Sequence, residues 1–331
     1  MTTTQRSLAA IAEQLTSHGR GILAADESIK TMSQRLVEAG VTASESNRRD
    51  YRELLLTTPG LSAHVSGIIM SDETFGQTLS DGRSFPEAAH ELGILPGIKV
   101  DTGTTPLPDG SGALITEGLD GLADRLSSYA ERGAAFAKWR AVIDVTTMTD
   151  DSARANARAL AAYAAACQAH GIVPIVEPEV LATGAHELAA SGAATRTALA
   201  TLFDELTLAV VDLTGIVLKP NFVTPGLESR QVSPQTVATV TWDVLRKTVP
   251  PEVPGVAFLS GGHPTDRACA YLAALNEVPG APWHLTFSFG RALVNDALTT
   301  WQGDPSRKAA AQQALLANCA AAAGSTARVH A

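Results

Sequence analysis

Short apolar or β-branched runs alternate along this chain with longer segments of helical period, the pattern of βα units feeding a parallel sheet. Eight such runs stand out: RGILAAD (20–26), HVSGIIMSD (64–72), GIKVD (97–101), AAFAKWRAV (134–142), IVPIVEPEV (172–180), GIVLKPN (215–221), GVAFLSGG (255–262) and HLTFSFGR (284–291). Eight parallel strands close on themselves, so the expected fold is α/β, a single (β/α)8 TIM barrel with extra terminal helices. Helix signals fill the gaps. Asp151 and Ser152 precede an Ala-rich stretch over 153–169 that stops at Gly171, and Ser233-Pro234 precede 235–247, which ends near Pro250-Pro251. No Pro/Ser linker divides the chain, and the expected organisation is one barrel over 1–331. An N-terminal helix falls within 1–19, a C-terminal helix opens at Asp304-Pro305 and covers 304–323, and 324–331 reads as a loose tail.

Polar residues cluster at or just beyond the C-terminal ends of these runs. They include Asp26, Asp72, Lys99 with Asp101, Lys138 with Arg140, Glu177 with Glu179, Lys219, Ser260 with Gly261, and Ser288 with Arg291. In a parallel barrel those ends converge on one face, where active sites are built. Strand ends are also simply where water begins, which explains mixed polar residues but explains poorly three lysines, two arginines and several carboxylates entering one mouth. The chain has only six lysines among its 25 basic residues, and three of them close apolar runs: GIKVD, AFAKWR and GIVLKPN. A single lysine there can snorkel, burying its stem and keeping its charge wet. Three at equivalent positions point to a common site.

Length and composition agree with one large barrel: 331 residues, 45% hydrophobic. A net charge of −9 with no basic run or stripe argues against nucleic acid as a partner. The start MTTTQRSLAAIAEQL lacks a cationic and apolar leader, and no run of about 18 apolar residues occurs, so no membrane association is expected and the expected location is cytoplasmic. Cys167, Cys269 and Cys319 are odd in number and lack a C-x-x-C pair, which points to inert thiols. The eight His residues show no ligand spacing, so no metal and no cofactor is expected. Gly19-x-Gly21-x-x-Ala24 mimics a dinucleotide fingerprint but enters a strand instead of following one.

Lys219 is the sharpest of the three lysines, because Ile216, Val217 and Leu218 surround its backbone with hydrocarbon and Pro220 stops the strand. An amine kept dry and near another cation, here Lys138, is nucleophilic at neutral pH and suited to a Schiff base with the ketone of a sugar phosphate. Glu177, on the preceding strand, is the acid/base group by adjacency, and Asp26 is suited to removing the hydroxyl proton beside the bond that breaks. The FLSGG and FSFGR loops follow strands seven and eight, where barrels commonly hold phosphate on exposed backbone N–H groups, and Arg291 adds a fork for the same anion. Ser28, Arg35 and Lys99 form a candidate second anion site.

Long collinear blocks carry a family resemblance: GILAADES (21–28), NRRDYRELL (47–55), GIKVD (97–101), GLDGL (118–122), FAKWR (136–140), GIVPIVEPE (171–179), LKPNFVTPG (218–226), RKTVPPEVPGVAFLSGG (246–262) and LTFSFGRAL (285–293). The chain resembles the class I fructose-1,6-bisphosphate aldolases, the metal-free Schiff-base aldolases of glycolysis and gluconeogenesis. The resemblance implies Lys219 as the Schiff-base lysine, Glu177 as general acid/base, Asp26 beside the cleaved bond and Lys138 and Lys99 as active-site lysines. It implies Arg140, Glu179, Ser28 and Arg35 as site-lining residues, and Ser260, Gly261, Gly262, Ser288, Gly290 and Arg291 as the phosphate-binding loops. It also implies sugar-phosphate substrates and a homotetramer. Fructose 1-phosphate as the favoured substrate, and a phosphosugar-binding protein without turnover, are the alternatives to weigh. The chain departs from the animal pattern at Gln34, where a lysine is usual, at Phe289 and His263, and in lacking a terminal tyrosine, its last being Tyr271.

Overall fold

The computed structural model describes residues 7–17 and 19–327. Eight parallel strands close a barrel: β1 (Gly21–Ala25), β2 (Val65–Met70), β3 (Leu95–Lys99), β4 (Phe136–Ile143), β5 (Val173–Val180), β6 (Val217–Leu218), β7 (Gly255–Phe258) and β8 (His284–Phe289). They are hydrogen-bonded in sequence order, with β8 returning to β1. All eight expected runs are strands. A short antiparallel hairpin, Gly103–Pro106 with Leu114–Glu117, follows β3 and was not expected.

Alternation along each strand builds the interior. Ile22, Ala24, Ile69, Leu95, Phe136, Val173, Ile175, Val217 and Ala257 form one buried cluster inside the barrel, while their sequence neighbours pack outward on the helices. Two residues further along the same inward-facing rows stand Asp26, Lys138, Glu177 and Lys219, and Lys99 stands four residues beyond Leu95. Each row therefore runs from apolar at the bottom to charged at the top. Phe136 fills the barrel centre because Gly97 opposite has no side chain; a Cβ there would lie 2.2 Å from the Phe136 ring.

The bottom of the barrel is plugged by the helix Leu8–Thr16, whose Ile11, Ala12 and Leu15 join the interior cluster. Gly255 admits this helix, since a Cβ there would meet Thr16 at 2.3 Å. On the outside, Asp150–Ala169 is started by a capping box between Thr149 and Ser152, and Pro234–Thr248 by Ser233, whose hydroxyl accepts from the Thr236 N–H.

The chain end differs from the expected loose tail. After a 3-10 turn at Pro305–Arg307 the last helix runs Lys308–Gly324, and Ser325 and Thr326 are buried. The Thr326 hydroxyl accepts from the Gly19 N–H at 3.0 Å, so this segment closes against the barrel bottom. The remainder of the expected tail and the first residues of the expected N-terminal helix lie outside the described residues.

Candidate active site

A cavity of about 970 Å³ opens at the C-terminal mouth of the barrel and is lined by residues from all eight strands or the loops after them. Register explains how its centre is assembled. Lys138 is the third residue of β4 and pairs in register with Lys99, the last of β3; Arg140 stands opposite Glu177, and Val142 opposite Glu179. Lys138 and Glu177 are thus not at the ends of their strands as expected. β4 and β5 run on past the mouth as a wall, so a mid-strand residue on them sits level with the last residue of β3. Val217 and Leu218 pair with Ile175 and Val176, and the Lys219 N–H donates to the Val176 carbonyl at 2.8 Å, which places Lys219 beside Glu177.

The side chains form one charge chain. Lys219 Nζ is 3.2 Å from Glu177 Oε1, Lys138 Nζ is 3.1 Å from Glu177 Oε2, and Lys138 Nζ is 2.9 Å from Asp26 Oδ2. Lys138, Glu177 and Lys219 are buried. Burial alone would raise the carboxyl of Asp26, but the ammonium groups of Lys138, Lys219 and Lys99 outweigh it and hold Asp26 well below the usual carboxylate range. Glu177 is likewise pushed up by burial, then held down on balance by Lys138, Lys219 and Arg140. Burial opposes the charge on Lys138, yet Asp26 and Glu177 prevail and its ammonium is held above the ordinary lysine range. Lys138 is therefore a fixed cation bridging two carboxylates, with Lys219 at the end of the chain.

Around this centre Arg140 pairs with Glu179, and Lys99 bonds to Asp101 through both its carboxylate, at 2.7 Å, and its carbonyl. On one side of the cavity lie Ser260, Gly261, Gly262, Ser288, Gly290 and Arg291. Gly261 and Gly262 have φ of +60° and +84°, a conformation that favours glycine and turns the loop. Gly290 caps the helix Arg291–Trp301 without any side-chain bond to its first amides. Ser288 Oγ is buried and has no partner in the protein. A helix start without a side-chain cap, an unpartnered hydroxyl and Arg291 are donors suited to an anion. Ser28, Thr31 and Lys99 also line the cavity. Ser28 caps the helix Ile29–Glu38, its hydroxyl accepting from the Thr31 N–H.

Arg35 is the one expected site residue that the structure does not bring to the cavity. Its guanidinium is turned onto the carboxylate of Glu27, and both are largely buried. Glu27 and Thr31 line the cavity and were not anticipated. Thr31 was readable from its place three residues after Ser28, on the same first turn; Glu27 reads as an ordinary residue between two polar neighbours. Gln34 points away to Glu38, Phe289 is fully buried, and His263 is buried beside Thr224 and Tyr271. Burial, with Arg267 nearby, lowers His263 to about 4, so it is neutral. Among the described residues no group of three His, Cys, Asp or Glu is placed to hold a metal ion, and no helix is long and apolar enough to cross a membrane.

A family model described as "Glycolytic: Fructose-bisphosphate aldolase class-I" matches residues 7–330. The chain belongs to this family. Two relatives from Arabidopsis thaliana are among those it resembles: fructose-bisphosphate aldolase 6, cytosolic, is 47% identical over 317 residues, covering 95% of this chain and 88% of the relative. Fructose-bisphosphate aldolase 3, chloroplastic, is 45% identical over 307 residues, covering 92% and 78%. A solved structure of the fructose-bisphosphate aldolase from Plasmodium falciparum, in complex with TRAP and a small molecule inhibitor, superposes with a TM-score of 0.94 at 42% identity, covering 96% of this chain and 93% of that one. The closed eight-stranded barrel agrees with that membership.

Proposed function

We propose that this chain reversibly cleaves fructose 1,6-bisphosphate to dihydroxyacetone phosphate and glyceraldehyde 3-phosphate through a Schiff base on Lys219. The observation that carries this reading is the unbroken series Lys219–Glu177–Lys138–Asp26, with contacts of 3.2, 3.1 and 2.9 Å, inside a cavity also lined by Ser288 and Arg291.

Glu177 enters the cycle ionised and takes a proton from Lys219, freeing the amine to attack the keto carbon. It thereby becomes the acid that protonates the carbinolamine hydroxyl, which leaves as water and gives the iminium. The iminium draws the electron pair of the bond between the next two carbons, α and β to it, and Asp26, held as a carboxylate, removes the hydroxyl proton of the β carbon, which departs as the aldehyde. The enamine left behind is reprotonated on carbon and hydrolysed, which returns the lysine. Lys138 keeps both carboxylates charged and near each other throughout. The loops after β7 and β8, with Ser288 and Arg291, hold one phosphate, and Ser28, Thr31 and Lys99 hold the other. Arg140 and Glu179 fix each other beside Glu177.

Sugar phosphates are the partners this site fits, with no cofactor required. The cytosolic name of one relative supports a cytoplasmic location, and family likeness supports a homotetramer, which sedimentation would read directly. A coupled cleavage assay tests the substrate: the bisphosphate turning over faster than fructose 1-phosphate, unaffected by a chelator, is the expected result. Faster monophosphate turnover would reassign the substrate, and loss of activity on chelation would remove the metal-independent mechanism.

A further inference from the structure

The block NRRDYRELL forms the middle of the helix Glu45–Leu56, and none of it enters the cavity chemistry described above. Its Arg52 is nonetheless one of the most deeply buried charged side chains of the protein, 3% exposed. The Arg52 guanidinium spreads over the backbone on both sides of Asp26: Nε donates to the Ala25 carbonyl at 3.2 Å, and Nη2 donates to the Glu27 carbonyl at 2.9 Å. The strand ladder stops one residue short of that point, since the last pair on β2 is Ala25 with Met70 and the last pair on β8 is Leu23 with Phe289. Asp26 therefore stands where sheet hydrogen bonds no longer hold the chain.

We propose that Arg52 is a positioning residue for Asp26, replacing the missing ladder with a two-carbonyl clamp that fixes where the carboxylate points. A guanidinium is suited to this because its donors are rigidly coplanar, so two carbonyls two residues apart are held at once. Glu27 completes the clamp from the other side. Its carboxylate is taken by Arg35 and lies 3.5 Å from Arg52 Nη2, which keeps it off Asp26 and off the lysines. The neighbouring Tyr51 extends the same frame, its hydroxyl donating to the Val294 carbonyl at 2.7 Å on the helix that Gly290 caps. One helix thus holds the base and the anion-binding helix in fixed relation. A displacement of about 1 Å at a reacting group costs on the order of a hundredfold in rate.

This inference rests on the reading of Asp26 as the base, and a double-mutant cycle separates the two. R52K keeps the charge but offers one compact donor instead of a fork. It is expected to lower kcat for bisphosphate cleavage by about 10- to 100-fold, with KM and borohydride trapping of dihydroxyacetone phosphate on Lys219 essentially unchanged. In a D26N background, R52K is expected to cost almost nothing further, because the group it positions is already gone. R52Q, neutral and able to serve only one carbonyl, is expected to give the same pattern, and thermal melts confirm that the variants compared are folded. The proposal is overturned if folded R52K or R52Q cleaves at the wild-type rate, if trapping falls in parallel with kcat, or if the loss is equally large in D26N. Should D26N itself cleave at the wild-type rate, it is the role of Asp26 that fails.

Discussion

At the residue scale, the chemistry depends on charges that are buried and kept. With Glu177 proposed as the proton relay, E177Q is expected to lower kcat by about 10²- to 10⁴-fold, measured in the cleavage assay, while the protein stays folded. Lys138 is the cation that most opposes burial at both Asp26 and Glu177. Replacing it with methionine leaves burial less opposed, and burial raises a carboxyl. K138M should therefore move the acid limb of the kcat/KM profile upward in pH, where the wild-type limb lies below the ordinary carboxylate range. An unmoved limb would mean that Lys138 does not set those ionisations. These residues were legible in the sequence because a lysine closing an apolar run is chemically anomalous. Arg35 was misplaced for a reason the sequence cannot display: whether an arginine in the last turn of the helix after a strand faces the cavity or turns back depends on an acceptor such as Glu27. The clamp on Asp26 was equally hidden, since carbonyl acceptors have no sequence signature.

At the element scale, short apolar runs between helical segments made all eight strands readable, and the barrel explains why: alternate strand residues fill its centre or pack outward on the helices, and the charged residues lie above the apolar ones on the inward rows. The hairpin after β3 was not readable, because the strand Gly103–Pro106 is exposed at every residue and carries no burial pattern. The expected loose tail failed similarly, since Ser325 and Thr326 are small polar residues whose burial follows from packing at the barrel bottom. The plug helix Leu8–Thr16 is stabilising but remote from the mouth. L15A, which empties a fully buried site, is expected to cost about 2–5 kcal/mol of stability by urea unfolding. Its kcat should equal that of the wild type, and a large loss of kcat would show that bottom and mouth are coupled.

At the scale of the whole molecule, the same charge chain links stability to pH. Asp26 and Glu177 release their protons more readily folded than unfolded, so their contribution is complete above the ordinary carboxylate pKa and is lost as pH falls through the lowered folded values. Lys138 works in the opposite sense: its contribution is present below the ordinary lysine pKa and is lost only as pH rises through a still higher value. The urea midpoint should be flat near neutrality and fall on acidification, with a shallower acid fall in K138M. An equally steep fall in both would place the titrating groups elsewhere. The barrel brings together residues nearly 200 positions apart, from Asp26 to Lys219, in one charge chain. The most direct test is reduction with borohydride in the presence of dihydroxyacetone phosphate, followed by peptide mass spectrometry. A single stable adduct on Lys219 is the predicted result; no adduct, or one on Lys138 or Lys99, would contradict the proposed chemistry.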